Sequence, residues 1–266
     1  MKKRLLLLSI VVLSSCGPQA QPVTTPAAPP AVFEQKMRWI LQLEDQRVLR
    51  GSVTPPGTAS GGDLVALLGD PEARVRRRSA LAIGRVKLAE AIPALTEVMQ
   101  SDRDPEVRQM AAFAMGLIGD ASAAPALIAA LNDPDALIQG RAAEALGLIG
   151  HKPAAQPITN MIYAHVNGGA LTGVIADDMG YPKTPPVEAV RLGAYALVRL
   201  GSYDGLASAF LGTDGRPRSR WWPIAFAFQR VNDVRAVPTL LDLFGGEGQL
   251  TRAFAARGLA AAKDPR

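Results

Sequence analysis

The sequence has very little of what most enzymes use for chemistry. Only two histidines (His151 and His165) and one cysteine (Cys16) occur in 266 residues, which speaks against a typical zinc or transition-metal site. No glycine-rich phosphate loop, Walker motif or G-x-S-x-G turn is present. The adjacent carboxylates of Asp177 and Asp178 are a weak signal for acid–base chemistry. We therefore predict that the chain is not an enzyme, with no catalytic residue, cofactor, metal or small-molecule substrate.

Aromatic residues are also scarce, at 5% of the chain, although hydrophobic residues as a whole reach 48%. Much of that hydrophobic content is alanine, which is the best helix former and has a small side chain. This composition favours closely stacked helices over a core built around large rings.

The apolar stretch near the N-terminus is too short to span a bilayer. Three basic residues at 2–4 precede nine mostly apolar residues at 5–13, and small residues follow. A transmembrane helix needs about 20 apolar residues, whereas this pattern is typical of a secretory signal. We predict that residues 1–15 are a signal peptide, and its removal would lower the net charge from +5 to +2 by the loss of three basic residues. The low charge and the predicted export both argue against a nucleic-acid partner.

The sequence LSSC at Leu13–Cys16 resembles the lipobox of bacterial lipoproteins. In that family the signal is cleaved before the cysteine, which is then acylated. The resemblance implies an exported protein anchored by lipid at Cys16 to the bacterial cell envelope. Gly17, in place of Asp, implies the periplasmic side of the outer membrane if the host has two membranes. The alternative is an ordinary secretory signal with a chance cysteine. Residues 16–32 are rich in proline, which favours extended conformations, and they are predicted to be a tether.

One decamer occurs nearly twice, as AAFAMGLIGD from Ala111 and AAEALGLIGH from Ala142, thirty-one residues later. The apolar positions around each copy follow the spacing of one helix face, and a weaker copy precedes them. Glycines recur in step at Gly84, Gly116 and Gly147. Prolines recur every 32 residues at 93, 125 and 157, where each is placed to open a second helix. Each unit therefore reads as two helices, which must stack on further units to bury enough apolar surface.

The segment DPEVRQMAAFAMGLIGDASAAPALIAAL at 104–131 resembles the HEAT repeat, in particular the short HEAT-like repeat of phycobilisome lyases. The resemblance implies an all-α solenoid of stacked helix pairs over residues 33–266. It implies that Asp104 and Pro105 begin the first helix and that Arg108 joins a polar ladder. Asp70 and Pro71 are aligned with them, and Gln139 interrupts the ladder in the third copy. The pattern continues in weaker form to the C-terminus.

The repeat is interrupted by an insertion at 163–186, and His165 and Tyr181 are its candidate partner-binding residues. Insertions in solenoids often serve binding, but an irregular loop in a drifted repeat is the alternative. Arg220, Trp221 and Trp222 form a second candidate, because tryptophan flanked by arginine is common at interfaces. The alternative is that both tryptophans pack beneath the preceding loop.

These observations predict a membrane-anchored scaffold that binds another protein in the envelope. The order of lipobox, tether and repeats is also similar to the front part of envelope proteins that end in a cyclophilin-type prolyl isomerase domain. The alternative is therefore that these repeats are the N-terminal region of a longer enzyme.

Overall fold

The computed structural model describes residues 30–51 and 63–263, without the side chains of residues 30–32. This part of the chain contains twelve α-helices and two isolated β-bridges. The predicted signal peptide, Cys16 and most of the predicted tether lie outside the described residues. None of the described helices is long and apolar enough to cross a membrane.

The helices alternate between two layers, as expected for an α-solenoid. In chain order they are α1 (Pro30–Gln46), α2 (Ala73–Val86), α3 (Ile92–Ser101), α4 (Pro105–Ile118), α5 (Ala124–Ala130), α6 (Ala136–Ile149), α7 (Ala155–Asn167), α8 (Pro185–Leu200), α9 (Tyr203–Phe210), α10 (Trp222–Arg230), α11 (Val237–Phe244) and α12 (Gln249–Ala261). The even-numbered helices pack against one another in sequence and form the first-helix layer. The odd-numbered helices from α3 onward form the second-helix layer. Helix α1 packs against α2 at the N-terminal end, and it begins within the predicted tether.

A repeated aspartate turn begins each of the first three units. In this turn a side chain donates a hydrogen bond to the carbonyl oxygen of the aspartate six residues earlier, from Arg76 to Asp70 (2.9 Å), from Arg108 to Asp102 (2.9 Å) and from Gln139 to Asp133 (2.5 Å). Each aspartate carboxylate also accepts from the backbone N–H two residues later. These bonds satisfy backbone groups at the helix start that the helix itself leaves unpaired.

The turn corrects the alignment of the repeats. Asp104 is the N-cap of α4, and its carboxylate accepts from the Glu106 N–H at 2.8 Å. The structural equivalent of Asp70 is nevertheless Asp102, 32 residues later, rather than Asp104. The sequence analysis aligned the Asp-Pro pairs. The feature that repeats in the structure is instead an aspartate whose carbonyl oxygen accepts a hydrogen bond from the side chain six residues later.

The glycines of the repeated decamer allow neighbouring first helices to touch through their backbones. A Cβ atom added at each glycine would lie within 3 Å of a Cα in the next first helix, from Gly84 to Ala114 (2.8 Å), from Gly116 to Ala145 (2.6 Å) and from Gly147 to Ala196 (2.7 Å). No side chain fits at that separation. The fourth copy has Val198 in this position, and the contact between α8 and α10 is smaller than the preceding ones.

Candidate partner-binding surface

The interruption of the repeat is a loop at residues 168–184, which we call the insertion loop. Helix α7 continues through Tyr163 and His165 and ends at Asn167, so the first part of the predicted insertion is helical. Pro185 begins α8, where its missing N–H needs no partner. The insertion is therefore shorter than the sequence indicated.

Asp177 fixes the insertion loop to the last helix of the array. Its carboxylate accepts hydrogen bonds from the backbone N–H groups of Gln249 (2.5 Å), Leu250 (3.1 Å) and Thr251 (3.3 Å). These groups belong to the first turn of α12, whose N–H groups have no partner within the helix. A loop residue thus caps a helix that begins 72 residues later in the chain.

Asp178 holds the start of α10. Its carbonyl oxygen accepts from the indole N–H of Trp222 at 3.0 Å and of Trp221 at 3.4 Å. The backbone N–H of Trp222 donates to Ala176 at 2.8 Å. Lys183 pairs with the Asp178 carboxylate at 2.7 Å, and its hydrogen bond keeps the pKa of Asp178 below the usual value. The predicted acidic pair is therefore a structural anchor.

The prediction that Trp221 contacts a partner is wrong, because its side chain is only 1% exposed. The indole packs beneath the insertion loop. Trp222 is half-buried and stacks on Phe254, with ring centroids 5.9 Å apart. Arg220 is half-buried and donates to the carbonyl oxygen of Asp242 at 2.7 Å. In this second candidate cluster Trp221 is therefore buried, whereas Trp222 and Arg220 are partly exposed and make contacts within the molecule.

His165 lies on α7 and faces α6. Its Nε2 atom is 2.6 Å from Oε1 of Gln139, the residue that replaces the ladder arginine. Burial lowers the pKa of His165 below the usual value, which favours the neutral ring. The hydrogen-bond contact of His165 therefore joins α7 to α6 within the array.

The insertion loop displays large hydrophobic side chains to solvent. Ile175 is 71% exposed, Met179 68% and Tyr181 82%, and we call these three the apolar loop patch. Tyr163, at the end of α7, is 42% exposed. Elsewhere in the described residues the exposed large hydrophobic side chains are Leu41, Val234 and Phe244. Tyr181 was a predicted candidate; Ile175 and Met179 were missed, although they flank the two aspartates in the sequence.

The described residues contain no group of three or more side chains suited to hold a metal ion. The clefts in the described part of the array include one of about 200 Å³ between α3 and α5 and one of about 160 Å³ between α10, α11 and α12. Each contains a single carboxylate, from Asp133 and Asp233 respectively.

Comparison with known proteins identifies the repeats. The family described as HEAT repeats matches residues 62–109 and 96–167. Residues 62–167 therefore consist of HEAT repeats. The match covers the units with constant spacing, whereas the later HEAT-like units have drifted further in sequence.

One of the similar solved structures confirms the fold. The complex of CpcE and CpcF of phycocyanin lyase from Nostoc sp. PCC7120 is similar at 23% identity, over 80% of each chain, with a TM-score of 0.51. Human deoxyhypusine hydroxylase in complex with glycerol shares 17% identity over 87% of this chain and 91% of that one, with a TM-score of 0.39. An engineered protein shares 20% identity over 75% and 95%, with a TM-score of 0.45. None of the curated proteins matches this sequence.

The prediction that the chain is not an enzyme is wrong, because it was based on the absence of familiar catalytic motifs. A phycocyanin lyase complex has a HEAT-like fold of this kind, so an enzyme is found among the structures that this chain resembles. Fold and function are separable, and the absence of a familiar motif does not exclude catalysis on this fold.

Proposed function

We propose that this HEAT-repeat protein is a scaffold for protein–protein interaction, held at the bacterial cell envelope by a lipid anchor at Cys16. The apolar loop patch is its principal contact with the partner. The observation that carries the proposal is a loop anchored at two points that exposes Ile175, Met179 and Tyr181.

A fixed loop is suited to binding because little of its freedom is lost when a partner arrives. The anchors at Asp177 and Asp178 lie between the exposed Ile175 and Met179, so the backbone beneath the patch is already held. Burying apolar surface contributes about 25 cal/mol per Å², and an aromatic side chain such as Tyr181 is a common interface anchor. The Nostoc structure, a complex of two subunits of a lyase, is a precedent for assembly through this fold.

The contact is tested by replacing the patch while leaving the array intact. We expect Ile175→Ser, Met179→Ser and Tyr181→Ser together to lower partner binding by about tenfold or more. The measurement is crosslinking in intact envelopes, followed by mass spectrometry of the crosslinked species. The matched control is Leu41→Ser, Val234→Ser and Phe244→Ser, which removes three other exposed large hydrophobic side chains, at 48–72% exposure. Equal loss in both variants, with unchanged thermal unfolding, contradicts the proposed site.

The anchor is tested by the intact mass of the native protein extracted in detergent. The expected mass is that of Cys16–Arg266 plus acyl chains. A mass without acyl chains rules out the lipid anchor but leaves the loop contact to its own test. A substantially larger mass favours the alternative, in which the repeats belong to a longer envelope enzyme such as a cyclophilin-type prolyl isomerase.

A further inference from the structure

The arginines of the paired helices are confined to one layer. The six helices of the first-helix layer carry twelve arginines and three glutamates. The five helices of the second-helix layer carry no lysine or arginine and three acidic residues. The helices of the first-helix layer are thus strongly basic, whereas those of the second-helix layer carry a small negative charge.

On α8, α10 and α12 the basic side chains follow a regular pattern beside aromatic rings. Tyr195, Phe226 and Phe254 form a row, with centroid distances of 5.2 and 5.4 Å and edge-to-face geometry. One helical turn further along each helix comes an exposed arginine, at Arg199, Arg230 and Arg257. We call these six residues the arginine–aromatic face.

These arginines differ from those at the other end of the layer. Within the described chain, no acidic side chain lies within 4.0 Å of Arg199, Arg230 or Arg257. On α2, in contrast, the exposed arginines have acidic partners, from Arg74 to Glu72 (2.8 Å), from Arg77 to Glu106 (3.8 Å) and from Arg85 to Glu44 (2.8 Å). The positive charge of the arginine–aromatic face is therefore open to an anion outside the array.

We propose that the arginine–aromatic face binds the surface of an anionic phospholipid bilayer. Guanidinium groups match phosphate oxygens in geometry and charge, and aromatic rings are favoured at the level of the lipid headgroups. The three rings are half-buried and pack on one another, so they form a shallow surface rather than a pocket or free faces for stacking. Such a surface fits an extended sheet of headgroups.

The choice of lipid over an acidic protein rests on the proposed function. An acyl chain at Cys16 would keep the array within tether length of a bilayer, and a basic surface is the usual second signal for stable attachment. Arg199 and Arg230 lie in the last turns of α8 and α10, whereas the insertion loop contacts the first turns of α10 and α12. A bilayer at the arginine end would leave the apolar loop patch accessible to a protein partner.

The test uses the full chain with Cys16→Ser, so that binding through an acyl group is absent. We expect it to bind vesicles of phosphatidylglycerol and phosphatidylcholine at least tenfold more tightly than phosphatidylcholine alone, and salt to weaken this binding. Arg199→Gln, Arg230→Gln and Arg257→Gln together should lower the binding about tenfold. The matched control, Arg74→Gln, Arg77→Gln and Arg85→Gln, removes the same charge and should change it less than threefold. Residues 1–15 are identical in all these proteins.

Equal loss in the two triple variants would show an effect of net charge alone and overturn the proposal. No loss in either variant would overturn it as well. Binding to soluble polyglutamate but not to the vesicles would instead identify an acidic protein as the ligand of this face. Circular dichroism checks that both variants are folded, and the intact mass of the native protein decides separately whether the anchor at Cys16 exists.

Discussion

At the scale of single residues, Gly116 shows why a poor helix former recurs inside the most regular helices. The helix loses about 1 kcal/mol relative to alanine at such a position. In return the backbones of α4 and α6 approach so closely that a Cβ at Gly116 would lie 2.6 Å from the Cα of Ala145. The glycine therefore belongs to the stacking of units rather than to either helix alone.

Gly116→Ala should destabilise the protein by about 1–2 kcal/mol, because overpacking outweighs the gain in helix propensity. Urea unfolding followed by circular dichroism measures the free energy. Gly69→Ala is the control, since a Cβ at Gly69 meets nothing within 4 Å. A Gly116→Ala protein as stable as the wild type would contradict the close approach.

The ion pair between Arg76 and Asp102 joins two units in a buried site. The guanidinium lies 2.7 and 2.8 Å from the two carboxylate oxygens, and the side chains are 6% and 7% exposed. Arg76→Met leaves Asp102 buried and unpaired, so we expect a loss of about 3–5 kcal/mol in the free energy of unfolding. Arg77→Met removes an exposed pair and should lose about 0–1 kcal/mol. Similar losses in the two variants would argue against a buried ladder.

His165 makes stability depend on pH near neutrality. Burial lowers its pKa in the folded state, so the unfolded chain, with a histidine pKa of about 6.5, binds the proton more readily. The contribution of the neutral ring is therefore present above pH 6.5 and is lost as the pH falls through the folded-state pKa. We expect the fall in thermal stability between pH 7.5 and 5.5 to be smaller in His165→Asn than in the wild type. A His165→Asn protein that keeps the wild-type slope would show that the dependence does not come from this ring.

At the scale of elements, the insertion loop acts as the N-cap of α12. Asp177→Ala removes the acceptor for the first N–H groups of that helix, which contributes about 1 kcal/mol at a typical N-cap. We expect amide hydrogen exchange to become about tenfold faster at residues 168–184 and in the first turn of α12.

Asp214→Ala is the control for this experiment, because Asp214 accepts only from its own loop, at the Arg216 N–H. It should leave exchange in α12 unchanged. Unchanged exchange in Asp177→Ala as well would show that the loop does not depend on this anchor.

The elements that sequence could predict are those set by local spacing. Apolar positions in α2, α4 and α6 recur at helical intervals, and nearly all of them are buried. Trp221 could not be placed in this way. Its neighbour Trp222 aligns with Gln109, which lies off the apolar helix face by its spacing but is only 8% exposed. The burial of Trp221 depends on a loop that arrives from 40 residues away, and no local pattern carries that information.

The dependence on distant contacts also explains why one part of the candidate site, Tyr181, was predictable from the sequence and another part, Asp177 and Asp178, was not. Tyr181 stood out because it lies in an interruption of the repeat. The roles of Asp177 and Asp178 were not predictable, because an aspartate that caps a distant helix has the same sequence signature as one in any polar loop. Their partners become visible only when α10 and α12 are placed beside the loop.

At the scale of the whole molecule, the array has one weak joint. The first helices from α2 to α8 contact one another closely, whereas α8 and α10 share a smaller contact. The insertion loop adds hydrogen bonds from its own residues to α10 and α12, across this joint. Stability in such arrays is approximately a sum over the interfaces of neighbouring units. The hydrogen bonds of the loop therefore add stability at the small interface between α8 and α10.

Replacing residues 170–182 by a glycine–serine segment of equal length should therefore divide unfolding into two steps. In a Trp39→Phe background, in which Trp221 and Trp222 are the remaining tryptophans, their fluorescence reports on the C-terminal units, and circular dichroism reports on all helices. We expect the tryptophan fluorescence to change at lower urea concentration than the circular dichroism, whereas the two coincide in the wild type. Coincident transitions in the replaced protein would show that the joint holds without the loop.

The bond between Asp177 and the start of α12 also sets an order of events during synthesis. Almost every other contact joins units that leave the ribosome in succession, which is the pattern of rapidly folding, locally connected chains. The loop, in contrast, is synthesised more than 70 residues before the helix that it caps. Until α12 has been synthesised, the insertion loop lacks the hydrogen bonds between Asp177 and that helix. The last layer of the array therefore completes a surface that was begun in the middle of the chain, and a protein that stops before α12 would present Ile175, Met179 and Tyr181 on an unfinished loop.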